Sequence, residues 1–128
     1  MRDWIIQSVV PEANRVWASV IARNGAPLTD LERVYSGQWL QEVRSGVEAM
    51  RARGQYRVAR PTAQIVVRNA QYMSDGRIGA DVAEEWDDRT FNSDGSVAKV
   101  QPGHIEQHYV LQSFGGQWKV VESRLVRS

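Results

Sequence analysis

Apolar residues recur at helical spacing throughout the first half of the chain. One stripe predicts a helix over residues 9–23, and Asn24-Gly-Ala-Pro27 ends it because proline cannot continue the turn. Thr29-Asp-Leu-Glu32 has the pattern of a capping box and predicts a second helix, with Gly37 ending it or marking a sharp corner. Trp39 to Met50 carries a third stripe, with charged residues on the opposite side. The pattern therefore predicts three N-terminal helices.

The apolar pattern becomes strand-like in the second half of the chain. Residues 62–73 and 77–90 predict two strands, and Ser74-Asp-Gly76 between them favours a hairpin with a two-residue turn. Counting outward from that turn pairs Met73 with Ile78 and sets both strands in the same register.

A second hairpin is predicted at the C-terminal end, over residues 104–126. Gly115-Gly116 supplies the positive backbone dihedrals that a tight turn needs. Counting outward pairs Ser113 with Trp118, Leu111 with Val120, Tyr109 with Glu122, Gln107 with Arg124 and Ile105 with Val126.

Helices followed by antiparallel hairpins predict an α+β domain. We expect the three N-terminal helices to pack on one face of a strongly curved antiparallel sheet. Residues 92–103 are rich in Gly, Ser, Asp and Pro, which predicts an irregular connection with a short strand around Val97 to Val100.

Length and composition narrow the class of protein. The 128 residues fit a single domain spanning residues 1–128. A net charge of +1 argues against a nucleic-acid-binding surface. The chain has no cysteine, which excludes disulfides and thiolate chemistry. No apolar run approaches the roughly 18 residues of a membrane span, so we expect no membrane insertion by this segment.

Several short motifs occur in a recognisable order along the chain. They are Tyr35-Ser-Gly-Gln-Trp-Leu40, Ala52-Arg-Gly-Gln-Tyr56, the acidic pair Glu84-Glu85, His108-Tyr-Val-Leu111 and Gly116-Gln-Trp-Lys-Val-Val-Glu-Ser123. In this order, and with helices preceding hairpins, the chain resembles the nuclear transport factor 2-like (cone, cystatin-like) superfamily. Within it, the motifs resemble the intermembrane-space (IMS-like) domain of chloroplast-division proteins and its bacterial relatives.

The resemblance implies a function as well as a fold. In the plant family the domain is a non-enzymatic docking module on the far side of a membrane, where it binds the tail of a partner. We therefore expect a module that docks a protein partner or peptide, or a second copy of itself as a homodimer. It would be a soluble domain, either a protein in its own right or the extracytoplasmic part of a larger membrane-anchored protein. The alternatives are a small isomerase- or hydratase-like enzyme and a sensor of a small hydrophobic ligand.

Glu84 is the first candidate for chemistry. In the predicted hairpin it lies on the apolar face, where a partly desolvated carboxylate could act as a general acid or base or anchor a basic group. Alternatively, a one-residue bulge turns Glu84 outward, or an arginine pairs with it at the mouth of the sheet. Of these, we favour the outward or rim position.

His108 and Tyr109 are the other catalytic candidates. His108 could carry a proton, although an isolated histidine in a mixed strand is more often structural. His104 and His108 lie too far apart on a strand to chelate one metal ion easily, and no third ligand is evident. We predict no metal and no other cofactor.

The candidate binding residues combine aromatic and charged side chains. They are Tyr56, Arg57, Glu84, Trp86 and Tyr109. The cluster of Arg51, Arg53, Arg57 and Arg60 around Tyr56 is either a docking patch for an acidic or anionic partner or a solvated rim, and we favour the rim. We expect the acidic and basic run from Asp87 to Arg89 to be exposed to water.

Overall fold

The computed structural model describes residues 2–128. Over these residues the helices precede the strands, as predicted, and all strand pairs are antiparallel. The elements are α1 (Arg2–Ile21), a 3-10 helix (Leu28–Arg33), α2 (Gly37–Ala52), β1 (Tyr56–Pro61), β2 (Val66–Tyr72), β3 (Ile78–Phe91), β4 (Val97–Val100), β5 (His104–Phe114) and β6 (Gln117–Arg127).

The sheet is built around β3, its longest strand. One edge of β3 pairs first with β2 and then with β1, and the other pairs first with β5 and then with β4; β6 extends the sheet beyond β5. The expected strong curvature is wrong, because the sheet is not strongly curled. Instead, the neighbours of β3 change between Ala83 and Arg89. On one edge β2 is followed by β1, and on the other β5 is followed by β4. Glu84 lies within this exchange.

α1 begins earlier than predicted. Its apolar stripe extends to Ile6 and Val10, which are fully buried, so the helix continues N-terminal to the predicted start. Pro11 therefore lies inside the helix and not in its first turn. Its side chain is exposed, so the backbone hydrogen bond that proline cannot donate is missing on the side of the helix that faces water. The most deeply buried core side chains are Ile6, Val10, Val20, Leu31, Ile78, Val82, Leu111 and Val120.

The predicted capping box is wrong. The second helix is a short 3-10 segment that follows Pro27, and no side-chain hydrogen bond caps its start. Tertiary packing holds this segment in place, since Leu31 is buried and the backbone around Tyr35 forms a parallel bridge with Val120 of β6. Gly37 has φ +67° and makes the sharp corner into α2, as predicted.

The first hairpin has a different register from the predicted one. The N–H of Met73 donates to the carbonyl of Arg77 at 2.8 Å, so the turn is longer than two residues and Tyr72, not Met73, lies opposite Ile78. The Asp75 carboxylate accepts the backbone N–H of Arg77 at 3.1 Å and stabilises this wider turn. The strand β1, which precedes this hairpin, was missed because it is short, follows α2 closely and carries two arginines, Arg57 and Arg60.

The C-terminal hairpin follows the predicted register at its tip only. Ser113 faces Trp118 and Leu111 faces Val120, but a register shift between Val110 and Leu111 then places Tyr109 opposite Ser123, not Glu122. The pairs predicted beyond Leu111 are therefore wrong. The short strand predicted at Val97 to Val100 is confirmed as β4.

Candidate functional site

A cavity of about 430 Å³ opens between α2 and the sheet, and we call it the α2 cavity. It forms because α2 buries only Val47 and Met50 fully, whereas Trp39 and Val43 are half-buried and border open space. Side chains from β3, β5 and β6 line its other side. The principal lining residues are Asn14, Trp17, Tyr35, Trp39, Val43, Gly46, Val47, Met50, Arg57, Glu84, Trp86, Asp88, Gln107, Tyr109 and Leu125.

Glu84 lies buried in this lining and accepts three side-chain hydrogen bonds. Its side chain is 3% exposed. Trp86 Nε1 donates to Oε1 at 2.8 Å. Tyr109 Oη and Asn14 Nδ2 both donate to Oε2, the latter at 3.4 Å. Three elements, α1, β3 and β5, therefore converge on one carboxylate.

The favoured outward or rim position of Glu84 is therefore wrong. Among residues 2–128 no arginine or lysine forms an ion pair with Glu84. Neutral donors satisfy the oxygens of Glu84, which allows this polar side chain to remain in the interior. Glu85, the next residue, points to the opposite face and contacts His104.

The two tyrosines in the cavity lining are themselves deeply buried. Burial raises the pKa of Tyr109 well above its usual value, and the nearby Glu84 carboxylate raises it further. Burial likewise raises the pKa of Tyr35, again with a contribution from Glu84. Both phenols are therefore neutral hydrogen-bond donors at neutral pH. Tyr35 donates to the carbonyl of Ala13 on α1 at 3.4 Å.

An ion pair forms another part of the lining. Arg57 Nε and Nη2 donate to the two carboxylate oxygens of Asp88 at 2.9 and 2.6 Å. The guanidinium also lies 4.8 Å from the ring centroid of Trp17, which in turn makes an edge-to-face contact with Trp86 at 5.9 Å. Asp88 is 8% exposed, so the expectation that it is exposed to water is wrong.

A second cavity of about 530 Å³ lies beside α1, and we call it the side cavity. It is bounded by Gln7 and Pro11 on α1, by Pro61 at the end of β1 and by residues 63–65 of the connection to β2. Asn14, Glu84 and Trp86 line both cavities. Glu84 therefore stands in the wall between them, at the point where β3 exchanges its strand partners.

The structure brings together four of the predicted site residues: Arg57, Glu84, Trp86 and Tyr109 all line the α2 cavity. His108 lies on the opposite face of β5 from Tyr109. Its Nδ1 is 2.8 Å from the carboxylate of Asp81 on the neighbouring strand.

Tyr56 also lies away from the α2 cavity. It stacks on Phe91 with ring centroids 5.3 Å apart, and Arg23 lies over its ring. The arginines expected around it separate into different contacts. Arg51 donates to backbone carbonyls of Val20 and Ala26, and Arg60 pairs with Asp87.

Most residues of the lining were not predicted as site residues, among them Asn14, Trp39, Asp88 and Gln107. Asn14 gave the clearest signal, because it is a polar residue four positions after the buried Val10 on the same helix. Trp39 was predicted only as part of the apolar stripe of the third helix, and Gln107 was considered only as a strand partner. Nothing in the local sequence distinguishes these two residues from packing positions.

Two other features are absent from the described part of the chain. No group of three or more potential metal ligands is close enough to hold a metal ion. No helix within residues 2–128 is both long and apolar enough to cross a membrane.

Comparison with known proteins identifies the fold. No family model matches the sequence, and no curated protein matches it either. Among solved structures, the intermembrane-space region of the chloroplast protein ARC6 superposes with a TM-score of 0.83 at 14% identity, covering 97% of this chain and 95% of that one. The chain has the IMS-like, nuclear transport factor 2-like fold. The resemblance stated from the sequence is thereby confirmed.

Two further structures share this fold. A periplasmic fragment of TraM is 11% identical, with a TM-score of 0.64 and coverage of 95% of this chain and 98% of that one. The periplasmic domain of DotI is 9% identical, with a TM-score of 0.63 and coverage of 96% and 94%. At such low identities these likenesses establish the architecture of the IMS-like fold and not a shared activity.

Proposed function

We propose that this chain is a non-enzymatic binding module that docks a protein partner or peptide in the α2 cavity. The observation that carries the proposal is an open cavity with an apolar wall on α2 and polar groups on the sheet side. Its volume of about 430 Å³ lies in the range of ligand pockets, which are mostly apolar with a few placed polar groups. Val43, Val47 and Met50 would receive an apolar side chain of the partner.

The hydrogen bonding of Glu84 favours binding over catalysis. A general base needs a free oxygen within reach of the proton that it removes. Oε1 of Glu84 accepts from Trp86, and Oε2 accepts from both Tyr109 and Asn14. This carboxylate is largely occupied, so it shapes the cavity more readily than it moves a proton.

We also propose that the chain is the extracytoplasmic part of a larger, membrane-anchored protein. Support comes from the three structural likenesses, which are an intermembrane-space region and two periplasmic parts. The test is to fuse a reporter that is active on only one side of a membrane to the natural full-length protein. Activity only in the cytoplasm would contradict this proposal without affecting the one on the cavity.

Gly46 offers a direct test of the cavity. It lies on α2 in the cavity lining, and a Cβ there would meet no other atom within 4 Å. Gly46→Trp should therefore fill the opening without disturbing the core, whereas Gly46→Ala should leave it open. Peptides selected from a display library on the wild-type domain should bind Gly46→Ala equally well and Gly46→Trp at least tenfold more weakly.

Two other outcomes of this experiment would count against the proposal. Equal binding to both variants would place the peptides elsewhere on the surface. No enrichment, combined with a concentration-dependent dimer in sedimentation, would favour a second copy of the chain as the partner.

The second candidate function is a small isomerase- or hydratase-like enzyme or a sensor of a small hydrophobic ligand. It is favoured by the burial of Glu84 beside Tyr109, because a carboxylate and a phenol in a protected cavity are a common acid–base pair. Turnover of a small hydrophobic substrate that is abolished by Glu84→Gln in a folded protein would support the enzyme. Saturable binding without turnover would support the sensor.

A further inference from the structure

β6 has a free edge, by which we mean the edge of this strand that faces away from β5. β6 is the last strand on its side of the sheet and pairs only with β5. At Val120 the other edge is already occupied, because the N–H of Val120 donates to the carbonyl of Val34 at 2.8 Å and its carbonyl accepts the N–H of Ser36 at 3.1 Å. Gly37 then turns the chain into α2. Among residues 2–128, nothing else forms a backbone hydrogen bond with this edge beyond Val120.

The register of β5 and β6 shows which residues direct their backbone groups at the free edge. In an antiparallel pair, opposite residues alternate between those that are hydrogen-bonded to each other and those whose N–H and C=O point away from the partner strand. Val120 is of the second kind and lies opposite Leu111. β5 pairs with β3 without a register shift, so the second and fourth residues before Leu111 are of the same kind, and they lie opposite Ser123 and Leu125. Ser123 and Leu125 therefore each direct an N–H and a C=O at the free edge.

The same two residues border the α2 cavity. Both line it, and Leu125 is 56% exposed although its side chain is apolar. Glu42 and Gly46 of α2 also line the cavity and are exposed. The cavity therefore opens between α2 and the free edge of β6. A strand laid along that edge would place alternate side chains at the opening.

Arg124 lies between these two residues and points to the opposite face of β6. Its guanidinium has no hydrogen bond or ion pair with any residue in the described part of the chain. The nearby charges of Glu122 and Arg127 each have a partner within the chain. An acidic side chain opposite Arg124 on an added strand would form a cross-strand ion pair. The edge therefore fits a segment with the pattern apolar, acidic, apolar.

A second copy of the chain fits this edge poorly. If two β6 edges paired antiparallel so that Ser123 of each met Leu125 of the other, the Arg124 side chains of both copies would lie directly opposite each other. Like charges in that position are destabilising. A register centred on Ser123 separates the arginines, but it leaves the N–H and C=O of Leu125 unpaired. The edge is therefore better suited to a different chain.

We propose that the partner segment binds as an added β-strand on the free edge of β6. Its backbone pairs with Ser123 and Leu125, its apolar side chains enter the α2 cavity, and the acidic residue between them lies opposite Arg124. In this mode of recognition, backbone hydrogen bonds supply affinity and alternate side chains supply specificity. The inference rests on the proposed docking function and adds to it how the segment is held and which sequence pattern it carries.

The free domain tests the register. In hydrogen exchange followed by NMR, the amides of Ser123 and Leu125 should exchange quickly, whereas the amide of Arg124, which points at β5, should be protected. Protection of Ser123 and Leu125 in dilute free domain would mean that the chain itself covers the edge. Protection that grows with protein concentration would mean that a second copy occupies it. Either result would overturn the inference.

The probes for binding are two capped pentapeptides that differ in one charge. They are acetyl-Ser-Val-Glu-Val-Ser-amide and acetyl-Ser-Val-Lys-Val-Ser-amide, and each is titrated into ¹⁵N-labelled domain. We expect the glutamate probe to slow the exchange of the Ser123 and Leu125 amides and to bind about 2- to 10-fold more tightly than the lysine probe. The inference fails if the glutamate probe does not bind, if it binds without protecting these two amides, or if the lysine probe binds as tightly.

Variants separate the ion pair from the backbone pairing. Arg124→Glu should reverse the preference between the probes, whereas Arg68→Glu, on β2 at the other edge of the sheet, should preserve it. Leu125→Pro removes an N–H that points at the free edge and leaves the pairing with β5 in place. It should weaken the glutamate probe about 2- to 10-fold relative to Leu125→Ala, which loses the side chain but keeps the N–H. Thermal melts establish that each variant is folded, and the comparison of the two probes on the wild-type domain needs no variant.

The docking function and this inference can fail separately. If display-selected peptides bind the wild-type domain and are weakened by Gly46→Trp but not by Leu125→Pro or Arg124→Glu, this inference fails and the docking function stands. If the probes behave as expected but no selected peptide is weakened by Gly46→Trp, docking in the α2 cavity fails and strand pairing at the free edge stands.

Discussion

α1 and α2 lie against the same sheet but pack on it differently. The inward face of α1 is closely packed: Ile6, Val10 and Val20 have no exposed surface. The inward face of α2 is loosely packed, with Val47 at 3% and Met50 at 8% exposed and the remaining apolar residues half-buried. Along this face α1 therefore completes the core, whereas α2 leaves the α2 cavity between itself and the sheet. The side cavity meets α1 at Gln7, Pro11 and Asn14, which are not part of that packed stripe.

The difference in packing indicates that α1 contributes mainly to stability, whereas α2 forms one wall of the α2 cavity. Side chains that fill a core without voids contribute most to stability, and a cavity gives up part of that contribution in exchange for space for a ligand. Glu84 stands at the boundary, because it accepts a hydrogen bond from Asn14 of α1 and also lines the α2 cavity. Four predictions test where the boundary lies, in order of decreasing effect.

The largest effect is expected from Glu84→Gln. The glutamine keeps the size of the side chain but removes the charge and directs an N–H₂ group toward neighbours that are themselves donors. We expect the free energy of unfolding to fall by about 2 to 4 kcal/mol, since hydrogen bonds to buried charged groups are strong and an unpaired donor is costly. Urea denaturation measures the change.

Glu85→Gln is the matched control for this prediction. Glu85 is the neighbouring residue on the opposite face, partly exposed and paired with His104. Its substitution should cost less than about 1 kcal/mol, as for most surface ion pairs. If Glu84→Gln also costs less than about 1 kcal/mol, the hydrogen bonds to Glu84 do not stabilise the junction between α1 and the α2 cavity.

The second prediction compares the same substitution, valine to alanine, on the two helices. Val10→Ala on α1 removes two methyl groups from a filled core and should lower the free energy of unfolding by about 2 to 3 kcal/mol. Val47→Ala on α2 removes the same groups beside an existing cavity and should cost about 1 kcal/mol. Equal losses in denaturation curves would mean that the two faces are equally well packed.

The sequence predicted the parts of the fold that are determined locally. Gly115-Gly116 forms the turn of the last hairpin, with φ +62° and +90°, and the register next to it is correct. Along the strands the prediction failed at the shift between Val110 and Leu111. A bulge there depends on how β5 and β6 fit the rest of the sheet, and neither strand encodes it alone.

The candidate site depended on contacts between distant parts of the chain. Trp86 lies two residues from Glu84 and was predicted to share its site, but the other two donors to Glu84 come from α1 and β5. The inward orientation of Glu84 follows from these distant donors, which no local pattern shows. Gln107 and Trp39 join the same lining only because α2 stands away from the sheet.

The third prediction concerns high pH. The folded pKa values of Tyr35 and Tyr109 are raised by burial, so the folded state retains their protons above pH about 10 while the unfolded state loses them. Their contribution to stability is therefore complete below that pH and is lost as the pH rises, by up to about 1.4 kcal/mol per pH unit for each tyrosine.

Tyr35→Phe should remove about half of this alkaline dependence in urea denaturation curves recorded between pH about 9 and about 11. Tyr72→Phe, at a half-exposed position on β2, is the control for loss of a phenol. An unchanged slope in Tyr35→Phe would mean that water reaches the base of the α2 cavity, which would weaken the contrast between the two helices.

The smallest effect is expected from Gly46→Ala, and it should be stabilising. Gly46 lies inside α2, where glycine costs about 1 kcal/mol relative to alanine because it loses more backbone freedom on folding. A Cβ at this position meets no atom within 4 Å, so nothing offsets the gain. We expect the free energy of unfolding to rise by about 0.5 to 1 kcal/mol, measured by urea denaturation. A decrease in the free energy of unfolding would mean that the added methyl group clashes with a neighbouring residue. Glycine would then be needed at position 46 for close packing of α2 and not to keep the α2 cavity open.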